Sequence, residues 1–197
     1  VKKYYPKVRI RVEAYAEYLR YPLDPLYKPE DNLAIIFATH IHNCHNHSVI
    51  DKTCPYVPKY MNEYYKWAAN TKHFHVYAYE CLNGWAQLPW PMVHILKEDM
   101  PEYHRTGAEQ FITQTFFHNQ SYALNYYVAS KLAWDTSLDV DYLISDFCKK
   151  SYGKAAQAME KYHRFIENSW ENNPNHVAYK TEVIPVSIVK FFPPDVI

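Results

Sequence analysis

The sequence lacks an excess of either charge. Lys and Arg total 21 and Asp and Glu total 21, so the formal net charge is +0. This balance excludes the strongly basic surface that is typical of proteins binding nucleic acid or anionic membranes. No apolar run approaches the roughly 20 residues that a bilayer-spanning helix needs. No signal peptide is visible at Val1, which leaves a cytosolic chain, a matured chain or a piece of a longer one.

Cysteine is also scarce. The four cysteines, Cys44, Cys54, Cys81 and Cys148, are too few to form a disulfide scaffold in a chain of 197 residues. Cys44 and Cys54 are close enough in sequence to close one small loop in an oxidising compartment, and the sequence does not fix the compartment. The length fits one domain or a large piece of one.

Aromatic residues are abundant and glycine is rare. The sequence contains 20 Tyr, 9 Phe and 5 Trp, but only 3 Gly. Tyrosine-rich surfaces suit planar polar ligands such as sugars, because the ring packs on C–H groups while the hydroxyl forms hydrogen bonds. Alternatively, the high tyrosine content reflects the general amino-acid composition of proteins from the source genome and has no link to a ligand.

Hydrophobic periodicity predicts strands in the first part of the chain and helices in the rest. Residues 8–15 alternate with period two, whereas 33–39 form a continuous apolar run typical of a strand covered on both faces. The predicted strands are 8–15, 33–39, 74–80 and 109–115, and the predicted helices are 58–70, 92–105, 121–134, 139–149 and 154–170. Pro101 is expected to kink or split the second helix, and Trp134 is assigned to the core.

The order of these elements predicts an α/β fold with parallel strands joined by crossover connections. Four such strands are about half of an eight-stranded barrel, which typically takes around 250 residues. We expect a half-barrel of four βα units over residues 1–120, C-terminal helices over 121–171 and an irregular tail over 172–197. The open edges of a half-barrel are costly in water. We therefore expect a longer parent chain or another subunit to complete it, with an open four-stranded sheet as the other option.

A string in the helical part resembles the C-terminal signature of an uncharacterised bacterial family of large carbohydrate-active proteins, which contain a domain of unknown function. It consists of Leu132-Ala133-Trp134-Asp135, Leu138-Asp139-Val140-Asp141 and Ser151-Tyr152-Gly153-Lys154-Ala155-Ala156. Thr136 stands where the family usually has proline, and Ser151 stands where it usually has tyrosine. The resemblance covers roughly residues 7–162. It implies the C-terminal half of a glycoside hydrolase-like (β/α)8 TIM barrel, similar to α-glucuronidases and β-hexosaminidases, and a secreted or periplasmic location.

Barrel enzymes place their sites at the C-terminal ends of the strands, and glycoside cleavage needs two carboxyl groups about 5 to 10 Å apart. We expect Glu80 and Glu13 to be the catalytic residues, with Glu80 as nucleophile or base and Glu13 either paired with it or orienting sugar hydroxyls. The resemblance implies that the acid lies on a barrel strand outside this chain. If Tyr77 and Tyr79 point into the barrel, strand alternation turns Glu80 outward. Alternatively, Glu13 forms structural ion pairs with Arg9 and Arg11, which lie on the same face of its strand. The expected substrate-binding residues are His40, His42, Tyr15, Tyr79, Trp85, Trp90 and Gln114.

The tryptophans are expected as stacking platforms for a sugar ring, although Pro89 and Pro91 can instead fold both rings onto the barrel. The run from His40 to His47, with Cys44 and the nearby Asp51, is the densest set of potential ligands in the chain. Its histidines fit contacts to sugar hydroxyls, a zinc site or a solvated loop. The alternating spacing matches no common structural zinc pattern, so we expect no metal and no cofactor.

The predicted function is hydrolysis of glycosidic bonds by paired carboxylates, one of which this chain does not supply. The predicted partners are a carbohydrate ligand and the N-terminal half of the barrel, with no nucleic acid and no membrane span. Two alternatives stay open: a glycan-binding barrel without catalysis, and a metal-dependent hydrolase that uses the His40–His47 run.

Overall fold

Strands and helices alternate along the first half of the chain, and helices alone follow. The computed structural model describes residues 3–39, 44–81, 88–115, 120–174 and 176. The elements are β1 (Ile10–Ala14), β2 (Leu33–Ala38), α1 (Val57–Asn70), β3 (His73–Ala78), α2 (Val93–Arg105), β4 (Gln110–Thr113), α3 (Ala123–Trp134), α4 (Val140–Tyr152) and α5 (Ala156–Glu171), with 3-10 turns at 16–18, 120–122 and 153–155. None of the helices in these ranges is long and apolar enough to cross a membrane.

The four strands form one parallel sheet whose spatial order equals the chain order, β1-β2-β3-β4. This confirms the predicted α/β architecture with four parallel strands. Parallel neighbours must be joined by crossover connections, and α1 and α2 supply two of them.

The connection from β1 to β2 differs from the predicted βα unit. Its described residues contain only the 3-10 turn Ala16–Tyr18, because Pro22, Pro25 and Pro29 interrupt any longer helix. Two tyrosines of this connection pack against α1 instead. The rings of Tyr21 and Tyr27 meet the ring of Trp67 edge-on, with centroid distances of 4.9 and 6.4 Å.

The core lies between one face of the sheet, called here the outer face, and the helices. Alternate residues of the central strands, such as Phe37 and Phe74, point into it. Phe37 is fully buried, and its ring centroid lies 5.3 Å from those of Tyr60 and Tyr64 on α1. Edge-on aromatic contacts of this kind add to the free energy of burying apolar surface.

Local backbone geometry defines the start of α4 and the end of α2. The Asp139 carboxylate accepts hydrogen bonds from the N–H groups of Asp141 and Tyr142, at 2.8 and 3.3 Å, and so caps α4. Gly107 has a φ of +84°, which residues with a Cβ rarely adopt, and it ends α2.

Two expectations about the helices need correction. Pro101 does not split the second helix, since α2 runs through it with Ile95, Leu96 and Tyr103 buried. Trp134 is not in the core, because it is the last residue of α3 and 92% of it is exposed. Leu132 takes the buried position near the end of that helix.

The aromatic core predicts a large loss of stability on truncation. Phe37→Ala is expected to lower the free energy of unfolding by about 3 to 5 kcal/mol, because it removes a buried ring and leaves a cavity. Trp134→Ala, which truncates an exposed ring, is expected to change it by less than about 0.5 kcal/mol. Urea denaturation of both variants measures the difference, and similar midpoints would contradict this description of the core.

Candidate functional site

Residues from all four strand ends line one cavity of about 240 Å³ on the face of the sheet opposite the helices, called here the inner face. Its lining residues are Glu13, Tyr15, Ile36, Ala38, Tyr77, Tyr79 and Gln114. Each strand supplies residues of one parity, as expected when alternate side chains point to the same face. The register agrees, since Glu13 lies opposite Ile36 and Ala38 lies opposite Tyr77.

The cavity combines aromatic rings with a carboxylate and an amide. Glu13 is exposed, whereas Tyr15, Tyr77 and Gln114 are half-buried. The side-chain Nε2 of Gln114 is buried without a hydrogen-bond partner among the described residues, so it is free to donate to a ligand. The rings of Tyr77 and Tyr79 meet edge-on, with their centroids 5.1 Å apart.

Glu80 is not part of this cavity. It is 1% exposed and lies two residues beyond the end of β3, near Cys81 and Tyr103. Burial, with a smaller contribution from Glu80, raises the pKa of Cys81 to about 11. The structure therefore does not bring Glu80 and Glu13 together in this cavity.

Trp90 is also in a different place from the one expected. Its ring is fully buried and lies 5.3 Å from the ring of His45 and 5.0 Å from that of Trp170. A ring enclosed in this way cannot stack on a sugar, so Trp90 belongs to a small apolar cluster between α2 and α5. His40, His42 and Trp85 lie outside the described residues.

A buried asparagine joins the two sides of the connection after β3. The Asn125 side chain on α3 donates hydrogen bonds to the carbonyl oxygens of Glu80 at 2.9 Å and of Trp90 at 2.7 Å. Both acceptors belong to the backbone, so this clamp does not depend on the side chains at those positions.

The amino end of the inner face carries a polar network between the two outermost strands. Arg9 donates to Glu109 at 3.1 Å and Arg11 donates to Gln110 at 2.9 Å, across the two central strands. In a flat sheet these strands lie about 14 Å apart, so the contacts favour a sheet curved towards this face. The arginines thus pair with residues at β4 rather than forming a ladder with Glu13.

His73 and His75 complete this network from β3. His73 Nδ1 lies 2.9 Å from a Glu109 carboxylate oxygen, and the hydrogen bond holds the pKa of Glu109 below its ordinary value. Burial lowers the pKa of His75, although Glu109 acts in the opposite direction. The network links β1, β3 and β4 at the end of the sheet opposite the cavity.

A second group of functional side chains, called here the Cys/His cluster, lies beside the connection from β2 to α1. It consists of Cys44, His47, Cys54 and His176. Their ligand atoms all lie within 4.8 Å of one another, and both cysteines are buried. The Cys44 sulfur lies 2.8 Å from His47 Nδ1 and 3.2 Å from His176 Nδ1, and the Cys54 sulfur lies 3.7 Å from His176 Nδ1.

Sequence reasoning did not find the Cys/His cluster as a unit. It considered the alternating histidines from position 40 onward, whereas the cluster uses Cys44 and His47, separated by two residues, and a second cysteine seven positions later. This spacing of cysteine and histidine is the sequence feature that could have indicated a metal site. His176 lies beyond α5, and no sequence pattern connects it with the other three residues.

The sequence profile of a family described as "Domain of unknown function (DUF4838)" matches residues 1–164. The chain belongs to this family. The resemblance to a domain of unknown function is thereby confirmed, and within the DUF4838 match lie β1 to β4, the strand-end cavity and three of the four Cys/His cluster residues. No curated protein and no solved structure matches the chain.

A buried ion pair joins α5 to the start of α2. The Glu167 carboxylate accepts hydrogen bonds from the N–H groups of Val93 at 3.1 Å and His94 at 3.4 Å, at the positive end of the helix. It also lies 2.6 Å from His94 Nδ1. Burial favours the neutral imidazole, but the hydrogen bond and charge of Glu167 outweigh it, so the pKa of His94 is raised above 6.5.

This pair predicts a pH-dependent contribution to stability. Because the folded-state pKa is raised, protonated His94 stabilises the fold fully below about pH 6.5, and the stabilisation is lost as the pH rises through the folded pKa. We expect the stability difference between the wild type and His94→Gln, measured by urea denaturation, to shrink with rising pH. The matched control is His163→Gln: burial lowers the pKa of His163, so its difference must change in the opposite sense. Parallel profiles would contradict the assignment.

Proposed function

We propose that this DUF4838 chain forms the carbohydrate-binding half of a glycoside hydrolase-like (β/α)8 barrel. The observation that carries the proposal is the cavity at the carboxyl ends of four consecutive parallel strands. This is the position at which barrel enzymes bind their substrates. An open sheet of doubly wound topology would place its ligand at a reversal of strand order, and the order β1-β2-β3-β4 contains no reversal.

Barrel closure is supported by the shape and surface of the sheet. The contacts from Arg9 and Arg11 to the fourth strand favour curvature towards the inner face. On the outer face of β1, Ile10 and Val12 are 36% and 43% exposed. Apolar strand residues of this kind are expected to be covered in the native particle. We propose that the remaining strands and helices of the barrel cover them, from a longer parent chain or from another subunit.

A sugar ligand is supported by the chemistry of the cavity. Tyr15 and Tyr77 offer ring faces for C–H groups and phenolic hydroxyls for hydrogen bonds. Gln114 offers a free amide donor, and Glu13 accepts hydrogen bonds from hydroxyl groups. Ile36 and Ala38 are the only aliphatic side chains among the described residues that line the cavity, which disfavours a lipid-like ligand.

The catalytic role of the chain is limited to one carboxylate. Glu13 is the only Asp or Glu among the described residues that lines the cavity. Cleavage of a glycosidic bond requires a second carboxyl group about 5 to 10 Å away, and we propose that the other half of the barrel supplies it. The same observation favours, as a second candidate, a glycan-binding barrel without hydrolysis.

Carbohydrate binding by the chain itself is the first test. We expect oligosaccharides that contain glucuronic acid or N-acetylhexosamine to perturb NMR signals of tyrosine rings at the cavity, because their binding requires only this half of the site. Tyr15→Ala is expected to weaken binding by about tenfold or more, as lost aromatic stacking on the ligand predicts. The exposed Tyr18→Ala variant is the control. Absence of binding by every oligosaccharide in the panel overturns the proposed function.

The role of Glu13 is tested in the native particle with p-nitrophenyl α-glucuronide and N-acetyl-β-glucosaminide as substrates. If Glu13 acts as acid, base or nucleophile, Glu13→Gln lowers kcat by roughly 100-fold or more while sugar affinity is retained. Glu17→Gln, an exposed carboxylate in the adjacent turn, is the matched control. Sugar binding without turnover by the wild-type particle instead assigns the non-catalytic function.

A further inference from the structure

The Cys/His cluster brings two thiols and two imidazoles together from separate parts of the chain. We propose that it is a structural zinc site with a Cys2His2 ligand set. This inference does not depend on the carbohydrate function, because the cluster shares no residue with the strand-end cavity.

The spacing of the four ligand atoms, all within 4.8 Å of one another, approaches that of tetrahedral coordination. Zinc bonds of about 2.3 Å to sulfur and about 2.0 to 2.1 Å to nitrogen place neighbouring ligand atoms roughly 3.3 to 3.8 Å apart. The Cys44–His176 and Cys54–His176 contacts, at 3.2 and 3.7 Å, are close to this range. The 2.8 Å contact between Cys44 and His47 opens slightly to admit the ion.

The donor set selects the metal. Sulfur and imidazole ligands suit zinc, whereas calcium and magnesium require oxygen ligands. Two thiolates balance the charge of a divalent cation, which allows the ion to be buried at a site where Cys44 and Cys54 are 1% and 2% exposed. Because four protein side chains complete the coordination, no position is open for water or substrate, and the site is structural rather than catalytic.

The loop that carries three of the ligands is held independently of any metal. The Asp51 carboxylate accepts hydrogen bonds from the Thr53 N–H at 2.7 Å and the Cys54 N–H at 3.4 Å, which orients Cys54 towards the cluster. Asp99 on α2 accepts hydrogen bonds from Ser48 Oγ and Val49 N, both at 2.8 Å. A preformed scaffold of this kind lowers the entropy cost of ion binding.

Outer-sphere contacts extend from the cluster to the segment after α5. Asn46 Oδ1 accepts a hydrogen bond from the Cys44 thiol at 2.8 Å, and Asn46 Nδ2 donates to the carbonyl oxygen of Asn173 at 3.4 Å. Loss of the Cys44 proton on zinc binding removes the first of these hydrogen bonds, whereas the second ties the ligand loop to the segment after α5. The ion would therefore join the β2–α1 connection to the chain beyond α5, including His176, which lies outside the family match.

The zinc site also bears on the strand-end cavity indirectly. His45 lies between two members of the ligand loop and is fully buried, with its ring 6.4 Å from that of Tyr79. An ion that holds the ligand loop in place would therefore also hold His45 beside Tyr79, which lines the cavity. This role replaces a metal-dependent hydrolase on the His40–His47 run, since the ion here has no open coordination position.

The metal content of the purified chain tests the proposal directly. We expect about one zinc ion per chain by elemental analysis, and a strong chelator should remove it with a decrease in melting temperature. Cys54→Ser and His176→Gln are expected to weaken zinc affinity by more than roughly tenfold. The matched controls are Cys148→Ser, a buried cysteine elsewhere, and His104→Gln, an exposed histidine; both should retain the ion.

Cobalt substitution keeps the test decisive if a variant folds poorly. The Co²⁺-loaded wild-type chain is expected to show thiolate-to-cobalt charge transfer and the intense visible bands of tetrahedral cobalt. His176→Cys should retain the metal and increase the charge-transfer intensity by adding a third thiolate. A wild-type chain without stoichiometric zinc that also fails to bind added Zn²⁺ or Co²⁺ overturns the proposal, as does a Cys44–Cys54 disulfide in the native chain.

Discussion

Strand alternation is the constraint from which both the core and the candidate site follow. In a parallel strand, successive side chains point to opposite faces, so each strand of this sheet must satisfy two environments at once. Phe37 and Phe74 meet the helices on one face, while Ile36 and Tyr77 line the cavity on the other. The outer face supplies most of the buried apolar surface, and this leaves the inner face free to carry polar groups.

The same constraint separates what the sequence predicts from what it does not. Strands and helices were predictable because hydrophobic periodicity is a local property, which can be read from a short window of the sequence. Tyr15, Tyr79 and Gln114 were placed at the cavity for the same reason, since they follow strands at the correct parity. Glu80 does not line the cavity, because β3 ends two residues before it and its side chain is buried elsewhere.

Long-range features had no local signal. Burial of Trp90 depends on Trp170, which is 80 positions away, and the prolines beside it do not reveal that contact. The Cys/His cluster depends on His176 in the same way. The pairing of Arg9 with Glu109 follows from curvature of the sheet, a property of the assembled strands that no single segment encodes. Exposure of Trp134 reflects the end of a helix, where amphipathic spacing no longer decides which way a side chain points.

The clamp formed by Asn125 sets the spacing of two backbone positions. Its two hydrogen bonds hold the carbonyl groups of Glu80 and Trp90, which are ten positions apart in the sequence, on one amide group of α3. A longer connection between fixed ends costs only about 0.6 kcal/mol for each doubling of length. A change in the number of residues between Glu80 and Trp90 would therefore leave both positions where the helix holds them.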